Sequence, residues 1–83
     1  MSFRDTILEL ISSHVDIAFD ITQVREDDTL ELLGVNSINF IRVIIEIEMR
    51  YNVQFDVDYL GTEAFVDFNA FLDYVDKLVH GQN

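Results

Sequence analysis

The segment "SINFIRVIIEIEMRY", residues 37 to 51, restricts the fold of this chain more than any other stretch. Its β-branched residues weakly favour a strand. Alternation fails, however, because Val43, Ile44 and Ile45 are consecutive, while Arg42, Glu46 and Arg50 recur at every fourth position. Charges at that spacing share one face of an α-helix and can pair along it. The spacing therefore predicts a helix from Ser37 to Tyr51, roughly 22 Å long. Its polar arc is narrow: Asn39, Arg42, Glu46 and Arg50, with Glu48 apart. Phe40, Ile41, Ile44, Ile47 and Tyr51 suit an ordinary core. Ile38, Ile45 and Met49 are left over, on one line beside residues that should face water. Either they form a contact surface, or the helix is central and buried almost all round.

Three other segments carry helical periodicity. From about Phe3 to Val15, the residues Phe3, Ile7, Leu10, Ile11 and His14 fall on one face, and Ser2 with Asp5 resembles a capping box. A short helix is expected from about Tyr59 to Ala64, with Asp58 as its N-cap. The last runs from about Phe68 to Val79, where Phe68, Phe71, Leu72, Val75, Leu78 and Val79 make the cleanest apolar stripe and Asp67 can cap. About twenty residues separate the first two helices, an uncommon length for a connection in a compact domain. Ile17, Phe19, Ile21, Val24, Leu30, Leu33 and Val35 can anchor them to the core. Gly34 suits the left-handed turn that ends them. The expectation is an all-α fold.

With 83 residues the chain fits one domain, 1–83, whose core must be small. It contains no Cys, so no disulfide or thiolate metal site supplements that core. This composition is compatible with a reducing compartment, and the expected location is the cytoplasm. The start, "MSFRDTILEL", lacks a basic region followed by an apolar run and does not read as a signal peptide. No apolar stretch has the length of a membrane span. Sixteen Asp and Glu against five Lys and Arg give a formal charge of −11. Such a chain repels nucleic-acid phosphates and steers basic protein surfaces toward itself. Solubility alone also accounts for the acidity.

Ser37 stands where the glycine turn meets the apolar helix. Unpaired N–H groups and the helix dipole make that end favourable for an anion, so a phosphodiester on the Ser37 oxygen would sit in a stabilising field. The commoner role for Ser37 or Asn36 at this position is simply to cap the helix.

Leu33-Gly34-Val35-Asn36-Ser37-Ile38 resembles the "L-G-x-D-S-L" signature of acyl and peptidyl carrier proteins. The resemblance extends over nearly the whole chain: a first helix, a long anchored loop, the signature serine opening a second helix, a short third helix and a terminal amphipathic fourth. "IEIEMRYNVQFDVDYL" is also similar to the stretch that follows the signature. The resemblance implies a four-helix bundle. It implies that a phosphopantetheinyl transferase moves phosphopantetheine from coenzyme A onto Ser37, and that the thiol of that arm holds an acyl or aminoacyl group as a thioester. It also implies a partner-binding surface of Asn36, Ile38, Arg42, Ile45, Glu46 and Met49. The partners are then the transferase, a loading ligase or adenylation enzyme, and downstream synthase or tailoring enzymes, all met by a monomer without catalytic groups. Three residues depart from the family pattern. Asn36 replaces Asp, Ile38 replaces Leu, and Arg42 stands where fatty-acid carriers tend to be acidic. These departures point to a stand-alone carrier in a specialised pathway, such as a nonribosomal peptide or polyketide system, over a fatty-acid-synthesis carrier.

Other readings are weaker. Asp56, Asp58 and Gly61 match three positions of a calcium loop, but Leu60 and Asp67 do not suit theirs. The chain lacks a G-x-S-x-G elbow, a glycine-rich phosphate loop and an H-E-x-x-H pair. His14 reads as a boundary residue on the first helix, and His80 lies in a terminus expected to fray. A non-catalytic helical interaction domain shares the acidity and the Ile38-Ile45-Met49 edge, but has no need of a modifiable serine.

Overall fold

The computed structural model describes residues 2–81; residues 1, 82 and 83 of the expected 1–83 domain lie outside the described residues. The regular elements among the described residues are all helical, with no strand among them. Helix α1 spans Phe3–Ser12, α2 spans Ser37–Tyr51 and α3 spans Phe68–Asp76. They enclose one core that includes Ile7, Ile11, Phe40, Val43, Ile47, Phe68, Phe71 and Val75.

Helix α1 begins as its sequence requires, with the Ser2 hydroxyl accepting from the Asp5 N–H at 3.1 Å. It ends earlier than the apolar spacing predicts. The Ser13 hydroxyl donates to the Leu10 carbonyl at 2.7 Å, and the His14 N–H donates to the Ile11 carbonyl at 2.9 Å. Serine competes for backbone groups in this way and closes helices. His14 therefore leaves the apolar stripe and lies beyond the helix.

The expected short third helix is instead two 3₁₀ turns, Val57–Tyr59 and Thr62–Ala64. The first is capped by Asp56, which accepts from the Asp58 N–H at 2.9 Å; Asp58, the expected cap, lies inside that turn. Gly61 interrupts the segment in an extended conformation. A run this short cannot offset the cost of helix nucleation, and a central glycine costs about 1 kcal/mol more. Aromatic packing fixes the turns instead. Tyr59 stacks on Tyr74 at 4.4 Å, and Phe65 meets Phe71 edge-on at 5.1 Å.

Helix α3 is capped by Asp67, which accepts from the Ala70 N–H at 2.8 Å. Beyond Asp76 the chain widens into a π-helical turn over Lys77–Gly81. His80 is held there: its ring pairs with Asp76 at 2.6 Å and meets Phe3 edge-on at 4.7 Å.

The long α1–α2 connection is tied down near its middle. Arg4 donates to the Val24 carbonyl at 2.7 Å. The Phe68 and Asn69 N–H groups, at the open start of α3, donate to the Asp28 and Glu26 carbonyls. Leu30, Leu33 and Val35 are buried, and Phe19, Ile21 and Val24 pack against the core. Ile17 differs from expectation: it is half-exposed and covers Gly34. Asp20 caps a small 3₁₀ turn, and bonds from the Thr22 hydroxyl and N–H hold its carboxyl below the ordinary value.

Candidate functional site

The junction between loop and α2 is built by two asparagines. Gly34 takes φ +87°, the left-handed conformation that glycine adopts without a steric penalty. The chain then extends through Asn36, whose side-chain oxygen accepts from the Ile38 and Asn39 N–H groups, each at 2.9 Å. Asn39 reciprocates. Its oxygen accepts from the Asn36 N–H at 2.7 Å, and its amide donates to the Gly34 carbonyl at 3.0 Å. This is a capping box with Asn at both ends. Asn39 thus belongs inside the junction, where it is the buried polar side chain among the described residues, and not on the solvent arc that the helical wheel predicts. The Asn36-x-x-Asn39 spacing is the sequence signal for this role.

The consequence falls on Ser37. Asn36 does the capping, so Ser37 occupies the first helical position with an exposed side chain. Among the described residues its hydroxyl has no hydrogen-bond partner, and its own N–H is unpaired at the positive end of the helix. Neither histidine is bonded to it, because His14 pairs with Glu46 and His80 with Asp76. A serine–histidine–carboxylate relay is absent here. The site fits a phosphate ester on Ser37 Oγ. The oxygen is uncommitted and accessible, and the neutral Asn36 puts no carboxylate beside it. The helix end also favours an anion by about 0.3–1 kcal/mol.

Along α2 from Ser37, Ile38 is 71% exposed, Ile45 48% and Met49 78%. Ile41, expected in the core, is 41% exposed and broadens this strip. Arg42 is exposed beside it. Glu46 is pinned at both oxygens, by the His14 ring at 2.5 Å and by Arg50 at 3.4 Å. The expected Arg42–Glu46 pair does not form. A surface groove of about 460 Å³ runs between His14, Arg42, Ile45, Glu46, Met49 and Arg50. All the sequence-predicted contact residues lie on α2 or at its cap. Asn36, Ile38, Arg42, Ile45 and Met49 are open to solvent, while Glu46 is half-buried. Glu48, which the sequence leaves without a role, accepts from the Phe55 N–H at 2.8 Å and fastens the following loop to α2.

Asp56 and Asp67 are used as turn and helix caps, and Asp58 lies within the turn that Asp56 caps. No group of three or more His, Asp or Glu among the described residues is placed to hold a metal ion. No helix among them is long and apolar enough to cross a membrane.

Residues 5–74 match the family model described as "Phosphopantetheine attachment site". Two curated relatives are D-alanyl carrier proteins of Streptococcus suis, from strains 98HAH33 and 05ZYH33. They are 26% and 25% identical over 80 residues, which cover 96% of this chain and 99% of each relative. No solved structure matches significantly.

Proposed function

Because the chain belongs to the family of phosphopantetheine attachment-site domains, whose members are carriers and not enzymes and hold phosphopantetheine covalently, we propose that Ser37 is the attachment residue. The observation that carries this is the uncommitted, exposed Ser37 hydroxyl at a helix start whose capping is done by Asn36. Ser37 Oγ attacks the coenzyme A phosphorus that bears the pantetheine arm; the phosphodiester forms as the pyrophosphate bond breaks and adenosine 3′,5′-bisphosphate leaves. Since no side chain among the described residues is bonded to that oxygen, the base that removes its proton belongs to the transferase. When bound, the group supplies a terminal thiol for an acyl or aminoacyl cargo. The chain's own residues do three things: they keep Ser37 at the surface, place a positive helix end beneath the phosphate, and present the α2 strip to visiting enzymes.

The protein is a monomeric, cytoplasmic carrier of a specialised pathway. It is modified by a phosphopantetheinyl transferase, loaded by an ATP-using ligase and unloaded by downstream synthase or tailoring enzymes. A small apolar strip with charged flanks suits partners that must bind and leave repeatedly. The relatives' name supports an aminoacyl cargo, with D-alanine the first to test.

Incubation with coenzyme A and a broad-specificity transferase should add one phosphopantetheine to the intact mass. The Ser37→Ala protein should gain none, while its folded stability stays within about 0.5 kcal/mol of the parent, as for other exposed positions. A parent protein that takes up no adduct would instead be a helical interaction module.

A further inference from the structure

Ser37 makes no side-chain hydrogen bond of its own among the described residues, and its N–H is unpaired at the helix start. The position of its Oγ is therefore set by the residues on either side. Asn36 caps forward, onto the Ile38 and Asn39 N–H groups. Asn39 reaches back past Ser37: its oxygen accepts from the Asn36 N–H at 2.7 Å, and its amide donates to the Gly34 carbonyl at 3.0 Å. The side chain of Asn39 is buried, with the residue 6% exposed, and the adjoining Phe40 packs against the Phe65 and Phe71 rings. Asn39 thus ties the turn that precedes the attachment residue to the core. The position uses an acceptor and a donor on one short side chain; an ionised aspartate accepts but cannot donate.

We propose that Asn39 is a positioning residue for the attachment reaction, acting on Ser37 by holding the Gly34–Asn36 turn against the first turn of α2. This deepens the carrier reading and rests on it. Forming the phosphodiester requires Ser37 Oγ in line with the departing oxygen of the pyrophosphate, and such placement is sensitive to displacements of about 1 Å. Without the Asn39 side chain, the Asn36 N–H loses its acceptor, and the cap and the first turn can separate. The preceding loop does not follow. The Gly34 and Val35 N–H groups stay bonded to the Glu31 and Leu30 carbonyls, and Val35 stays buried. The defect is therefore confined to the residues around Ser37. Arg42, Ile45 and Met49 lie beyond the first turn and keep their exposed positions. Binding of a transferase is preserved, while the transfer step slows.

The test is a single turnover, which separates binding from transfer. Unmodified protein meets excess broad-specificity transferase and saturating coenzyme A, and uptake is followed by intact mass. The parent is compared with Asn39→Ala, Asn39→Asp and Val75→Ala, at a temperature where circular dichroism shows the proteins folded. Val75 is fully buried on α3, outside the 34–39 junction, so its truncation lowers stability without loosening Ser37. The proposal expects the maximal rate of Asn39→Ala to fall tenfold or more. The transferase concentration giving half that rate should stay within about twofold of the parent's. Asn39→Asp is isosteric, keeps the acceptor and loses only the donor, so the same maximal rate should fall by less. Val75→Ala should match the parent. Where the alanine variant does not fold, the aspartate variant decides by the same comparison. Asn39 variants whose maximal rate equals that of Val75→Ala, or whose loss lies wholly in the half-maximal concentration, overturn the proposal alone. A parent protein that takes up no phosphopantetheine overturns the carrier reading and this proposal with it.

Discussion

Replacing Asn39 by alanine tests whether the paired asparagines hold the α2 junction. The substitution removes the acceptor of the Asn36 N–H at 2.7 Å and the donor to the Gly34 carbonyl at 3.0 Å. Each such bond contributes about 1 kcal/mol net, and buried groups left unpaired raise the cost, so the loss should be about 2 kcal/mol. For a domain of this size that lowers the melting temperature by roughly 8–16 °C. Asn36→Ala should cost about 1 kcal/mol as an ordinary lost N-cap. The double variant should cost less than the two together, because the residues bond to each other. Asn36→Asp keeps the accepting oxygen and adds a charge that the helix start favours, so it should melt at or slightly above the parent. Circular dichroism melts of the four variants settle the matter. An Asn39→Ala protein melting within about 2 °C of the parent, or strict additivity in the pair, refutes the reasoning.

Two further substitutions probe the supports of the site. A Cβ on Gly34 would fall 2.7 Å from Ile17 Cγ1 and 3.1 Å from Val15 Cβ, at φ +87°. Gly34→Ala should therefore destabilise by about 1–3 kcal/mol, and adding Ile17→Ala should recover part of that in a urea titration; no recovery would mean the clash is not the cause. Phe71 is fully buried and lies within 5.1–6.3 Å of the Phe40, Phe55 and Phe65 rings. Phe71→Ala should cost about 3–5 kcal/mol of a total near 4–12 kcal/mol, so its urea midpoint should fall by roughly a quarter or more, and an unchanged midpoint would show that the aromatic cluster is not the core.

The bounds of α2 were legible because its periodic charges and its Gly34-to-Asn36 entry are local signals. Gly34 in a left-handed turn, the caps Ser2 and Asp67, and the exposed Ile38-Ile45-Met49 strip follow from the same logic. What was not legible depends on partners distant in sequence. Glu46 was assigned to a ladder with both Arg42 and Arg50, but His14, thirty-two positions away, takes one of its oxygens. Ile41 looks like core on a helical wheel, yet it is 41% exposed. The segment after Phe55 has a helix-like apolar pattern, but Tyr59 and Phe65 are spaced by their docking onto Tyr74 and Phe71, and that geometry prefers two tight turns. A wheel treats every polar residue as solvent-facing, whereas Asn39, three residues after the N-cap, turns back into the cap.

The most direct measurement is tandem mass spectrometry of this protein purified from its source organism. The account predicts phosphopantetheine on the peptide containing Ser37, bearing an acyl or aminoacyl group in a fraction of the molecules. A preparation in which that peptide is wholly unmodified, from cells whose other phosphopantetheine carriers are modified, would contradict it.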